Sequence, residues 1–130
     1  MKRFAALVVV VLLAVPSFAL AKGLEINKTS GGYEAMVVID RNPPVVGKNG
    51  ISIRIKDKGG AFVTDAMVRV EYSMPAMPGM PAMLYKADAE RKDAEYSSVM
   101  DLSMAGPWNV VVKVLMDGKV TSFKFNIDAR

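Results

Sequence analysis

Five stretches of this chain alternate apolar and polar residues with a period of two, and that rhythm limits what the chain can fold into. Ile51, Ile53 and Ile55 alternate with Ser52, Arg54 and Lys56, and Ala66, Val68, Val70 and Tyr72 alternate with Met67, Arg69 and Glu71. The pattern returns at Tyr96, Ser98, Met100, Leu102 and Met104, at Trp108, Val110, Val112, Val114 and Met116, and at Phe123, Phe125 and Ile127. Successive side chains of a strand point to opposite faces, so each run describes a strand with one dry and one wet side. Gly31-Gly32, Pro43-Pro44, Asn49-Gly50, Lys58-Gly59-Gly60, Gly106-Pro107 and Asp117-Gly118 supply turn signals, the last as a tight hairpin. Residues 24–29, 33–40 and 83–88 complete a set of about eight short strands. Helical periodicity is nowhere sustained: residues 86–95 (KADAERKDAE) carry no apolar stripe and read as a strand end followed by an exposed turn. The expected fold is an all-β, immunoglobulin-like antiparallel β-sandwich of about seven to eight strands. Ile51, Ile53, Ile55, Val68, Val70, Trp108, Val110 and Val112 are expected to face inward, with Trp108 anchoring the two sheets.

Residues 1–21 have the layout of a secretory leader: basic Lys2 and Arg3, an apolar run from Phe4 to Val15, and a small-x-small site at Ala19-Leu20-Ala21. The apolar run is shorter than the roughly 20 residues a spanning helix needs. Cleavage is therefore expected, leaving residues 22–130 as a single domain in the periplasm or secreted, or anchored to the membrane if the leader is retained. Of 17 Lys and Arg, two leave with the leader, so the exported product has 15 against 13 Asp and Glu. A surplus that small and that scattered implies no nucleic-acid partner.

There is no Cys and no His. Disulfides, zinc clusters, thiol nucleophiles and His-based acid–base triads are thereby excluded. The carboxylates are scattered and none fits a calcium loop. No catalytic residues are expected, and the chain reads as a non-enzyme. Methionine is the anomaly, with 10 residues against one Trp, four Tyr and five Phe.

Four of the ten lie in residues 74–83, MPAMPGMPAM, where Met74, Met77, Met80 and Met83 recur every third position and Pro75, Pro78 and Pro81 each follow a Met. An extended polyproline rod would hold consecutive Met about 9 Å apart and the outer pair about 28 Å apart, too far to share one ion. Met77-Pro78-Gly79-Met80, however, has Pro and Gly at the two central positions of a type II turn, which brings Met77 and Met80 to under about 7 Å. The segment is nearly mirror-symmetric about that turn, so Met74 falls opposite Met83 and a compact four-thioether cluster becomes possible.

Thioether sulfur is soft and uncharged, and among biological metals it selects copper(I). The candidate metal ligands are Met74, Met77, Met80 and Met83, with Met104, near a strand end, as a possible fifth. The rival reading takes the same loop as an apolar surface that caps the sandwich or docks on another exported or membrane protein. Met36, Met67 and Met116, within strands, are expected to pack, and Met100 to fill the core. Trp108 is expected in the core, with stacking over a bound cation as the alternative.

The stretch Gly47-Lys48-Asn49-Gly50-Ile51-Ser52-Ile53, then Asp57-Lys58-Gly59-Gly60, Ala66-x-Val68, the Met/Pro loop and Leu102-x-Met104-Ala105-Gly106-Pro107-Trp108 resembles the YtkA-like/FixH-like domain over roughly residues 46–127. The resemblance implies an exported or membrane-tethered immunoglobulin-like sandwich associated with copper handling, in oxidase copper-centre assembly or heavy-metal efflux. It also implies a copper-handling protein or membrane complex as partner. Relatives often carry a His in or just after the Met loop. This chain has none, so only Met74, Met77, Met80 and Met83 carry over as ligands. The resulting expectation is a copper(I)-binding or copper-delivery protein.

Overall fold

The computed structural model describes residues 23–130, so residues 1–21, expected to be a secretory leader, lie outside the described residues. Nine strands follow in order: β1 (Leu24–Ser30), β2 (Tyr33–Ile39), β3 (Gly47–Lys56), β4 (Met67–Met74), β5 (Met83–Asp88), β6 (Glu90–Lys92), β7 (Glu95–Leu102), β8 (Gly106–Met116) and β9 (Lys119–Ala129). They form two antiparallel sheets, β1-β2-β3-β7-β6 and β5-β4-β8-β9, and among the described residues there is no helix. Each alternating run is a strand, and its apolar set faces the other sheet. All eight residues expected to point inward are buried, along with Tyr96, Met100, Leu102, Phe123, Phe125 and Ile127.

Four local expectations change. The ninth strand is β6: Glu90–Lys92 folds back on Glu95–Ser97 of β7, with Asp93 at φ 55° in the tight connection, because backbone pairing at a sheet edge needs no apolar stripe. Asn49-Gly50 is not a turn but lies inside β3, paired with Met100 and Val99. Asn49 is fully buried there because its amide takes over a backbone role. It accepts from Val45 N–H at 2.9 Å and donates to the Val45 and Gly47 carbonyls at 2.7 and 3.0 Å, satisfying the loop that enters the strand. Gly106-Pro107 likewise opens β8, and the turn before it is Ser103–Ala105. Met67, expected to pack, is 72% exposed, because it sits on the outer face of its sheet across from Leu115.

Two tyrosine hydroxyls tie the layers together. Tyr96 donates to the Val63 carbonyl and accepts from Ala66 N–H, both at 3.1 Å, fixing the long connection into β4. Tyr72 on β4 accepts from Asp101 N–H on β7 at 3.1 Å, so one side chain bridges the two sheets. That bridge lies just below the end of the sandwich where the β4–β5 hairpin and the β7–β8 turn come together.

Candidate metal centre

The Met/Pro segment is the tip of the β4–β5 hairpin. Met74 and Met83 are the last register pair of the two strands, and beyond them Met77 and Met80 form an isolated antiparallel bridge. Met80 N–H donates to the Met77 carbonyl at 2.8 Å and Met77 N–H donates to the Met80 carbonyl at 3.0 Å. Gly79, between them, has φ +81°, the value required of the third residue of a type II turn. The chain therefore folds here as the Pro78-Gly79 dipeptide dictates, and both expected pairings, Met77 with Met80 and Met74 with Met83, are formed. Side chains directly opposed in an antiparallel pair share a face, with Cβ atoms about 4.5–5.5 Å apart.

The sulfur-bearing residues differ in access. Met74 is 1% exposed, its methyl group lying against Gly106 at the start of β8, so it is the root of the hairpin. Met77 and Met83 are half-buried and packed on the core, while Met80 at the tip is 38% exposed. Met104 is half-buried in the β7–β8 turn, and its carbonyl accepts the indole N–H of Trp108 at 3.0 Å. The thioethers of the hairpin and of the turn thus lie at one end of the sandwich, graded from core to solvent.

Beneath them is an aromatic floor. Tyr72 and Tyr85, register partners on β4 and β5, stack with ring centroids 5.4 Å apart, and Trp108 lies tilted against both at 6.0 and 6.1 Å. Trp108 is fully buried, its ring edge held by Met104 and its body packed on two tyrosines. It is a core anchor, as its place in the alternation indicates.

Sequence reasoning did not single out two further residues. Met83 Sδ lies 3.6 Å from the hydroxyl of Tyr85 and 3.6 Å from that of Ser103, and the two hydroxyls are 3.5 Å apart. Tyr85 is two positions from Met83 and therefore on the same face of β5, a relation the alternation contains. Ser103 reaches the sulfur from the β7–β8 turn, 20 residues further along the chain, and no local signal could have indicated that. Among the described residues, no group of three or more His, Cys, Asp or Glu side chains converges. The donors that this end of the molecule concentrates are neutral thioethers and hydroxyls.

The model of the YtkA-like family matches residues 27–113, more than half of the chain. The chain belongs to the YtkA-like family. The match begins on β1, earlier than the resemblance read from the sequence, and ends within β8, so it takes in the whole β4–β5 hairpin and the turn that carries Met104. The YtkA-like sandwich is also similar to a solved structure, the PmoD soluble domain from Methylocystis sp. (strain Rockwell), at 9% identity and a TM-score of 0.53, over 81% of this chain and 97% of that one. At that identity the likeness is one of fold. A search of curated proteins gave no match.

Proposed function

We propose that this YtkA-like protein is an exported copper(I)-binding or copper-delivery protein that acts without catalysis. One observation carries the reading: the β4–β5 hairpin sets Met77 against Met80 and Met74 against Met83, with a turn that only a Pro-Gly type of sequence makes easily. A soft donor set with no imidazole or thiolate beside it favours copper(I) over zinc or copper(II). The association of the resembled family with copper handling supports the same reading, with the metal as cargo passed to a copper-handling protein or membrane complex. Thioethers lose no proton on binding, so affinity should vary little with pH.

Two titrations test this. Under reducing conditions the purified protein is expected to compete with a chromogenic copper(I) chelator and to leave a zinc chelator untouched; failure to compete for copper(I) would overturn the reading and favour the apolar-docking alternative. Gly79→Val keeps every sulfur but places a β-branched residue at φ +81°, a strain of about 1–3 kcal/mol that the turn escapes by opening. It is expected to compete more weakly. Equal competition by the Val variant would mean that the turn does not assemble the site.

A further inference from the structure

The methionines of this sandwich differ in how much water they meet. Among the described residues two are exposed: Met67, at 72%, and Met80, at 38%. Within the hairpin Met80 stands apart, since Met74 is part of the core and Met77 and Met83 pack against it, whereas Met80 does not. In a chain without cysteine, thioether sulfur is the group that a peroxide attacks most readily. The product is a polar, chiral sulfoxide, tolerated where the side chain already meets water and disruptive in a core. Met67 supplies an internal reference. It opens β4 and Met74 closes it, so at about 3.3 Å per residue Met67 lies about 23 Å from the root of the hairpin, at the other end of the strand.

We propose that Met80 is a modification site: oxidation of its thioether by hydrogen peroxide disables the copper(I) site while the sandwich stays folded. This rests on the copper(I) reading above and adds a regulation of that site. In the step, a sulfur lone pair attacks one peroxide oxygen and the O–O bond breaks. The sulfur keeps that oxygen as a sulfoxide and is oxidised by two electrons, and the other oxygen, reduced, leaves as water with both peroxide protons. The sulfur is then electron-poor and its new oxygen is a hard donor, so neither suits the soft ion that the thioether suited. Met80 faces Met77 across the tip, so the site loses one of the two thioethers that the turn brings together. The two bonds that close the tip run between main chains and are untouched. A bound soft metal draws on the same sulfur electrons, so loading should protect Met80 and not Met67. Reversal needs a methionine sulfoxide reductase, because the chain has no thiol of its own.

The test treats the metal-free exported domain with hydrogen peroxide, stops the reaction with catalase at intervals, and reads each methionine by peptide mass spectrometry. Sulfoxide should appear on Met67 and Met80 ahead of Met77 and Met83, with Met74 and Met100 last. In a copper(I) competition titration of the same samples, affinity should fall about tenfold or more as Met80 is converted, at least what removing a ligand's supporting partner costs a metal site. Far-ultraviolet circular dichroism should stay unchanged over that interval. Met67→Leu should lose affinity on oxidation just as the unaltered protein does. Met80→Leu should start weaker and lose nothing further while only Met67 reacts. Silver(I), a soft ion that peroxide does not cycle, should slow oxidation of Met80 and leave Met67 reacting at its original rate. If the unaltered protein competes for copper(I) but Met80 reacts no faster than Met74, or affinity does not follow Met80 sulfoxide, the modification site is overturned and the copper site stands. If the unaltered protein does not compete at all, both fall.

Discussion

Replacing Met74, Met77, Met80 and Met83 together by Leu is expected to abolish competition for copper(I) while leaving the sandwich folded. Leu has nearly the volume and the apolar character of Met, and such swaps cost less than about 1.5 kcal/mol each even in cores. Of the four, only Met74 is deeply buried, so the summed loss of stability should be small. The variant therefore separates sulfur chemistry from apolar surface. A loop that docks on a partner through its apolar side chains would tolerate Leu, and one that ligates metal would not. Competition by the four-Leu protein equal to that of the original would end the metal reading. Partial competition, removed when Met104→Leu is added, would assign the residual affinity to the β7–β8 turn.

Trp108→Ala should have the largest effect on stability. The indole is fully buried between the sheets, touches Tyr72 and Tyr85, and donates to the Met104 carbonyl at 3.0 Å. Truncating a buried Trp to Ala costs about 3–5 kcal/mol, against about 5–15 kcal/mol for the whole stability of a typical domain. Chemical denaturation followed by far-ultraviolet circular dichroism should show a clear fall in midpoint. A loss below about 1 kcal/mol would show that Trp108 is not the anchor its burial indicates.

The strands were legible because their apolar residues repeat with period two, and burial enforces that period. Ile51, Ile53 and Ile55 or Trp108, Val110 and Val112 cannot shift register by one residue without moving the core into water. The type II turn was legible for a similar reason, since Pro78 and Gly79 fix two dihedral angles locally. Where the reading changed, a long-range partner or an edge decided the outcome. Asn49 looks like a turn residue but is drawn into β3 by the backbone groups of Val45 and Gly47. Met67 belongs to an alternating run, yet it occupies the wet phase of that run and its row stays uncovered. Within the candidate site, the pairing of the four Met was contained in the near-symmetry of MPAMPGMPAM. The grading from buried Met74 to exposed Met80 was not, because it depends on Gly106 of another strand lying over the root. The hydroxyl of Ser103 on Met83 arises from the β7–β8 turn lying beside the β4–β5 hairpin, which no local pattern encodes.

The hairpin root and its tip are held by different means, and on the copper(I) reading this bears on how an ion would leave. Between the Met74–Met83 pair and the Met77–Met80 bridge lie Pro75 and Ala76 on one arm and Pro81 and Ala82 on the other, none of them in a strand. Each arm therefore contains a residue with no N–H to offer across the gap. The two backbone bonds at the tip are thus isolated from the ladder below, while the root is clamped in the core by Met74. Breaking those two bonds needs only a small fraction of the free energy that unfolds the sandwich. The tip can part as a local event, releasing Met77 and Met80 from one another while Met74, Trp108 and the two sheets stay in place. On the copper(I) reading proposed above, opening the tip would part Met77 from Met80 and let an ion leave at the cost of two hydrogen bonds and the packing of Met77, with the sandwich still folded.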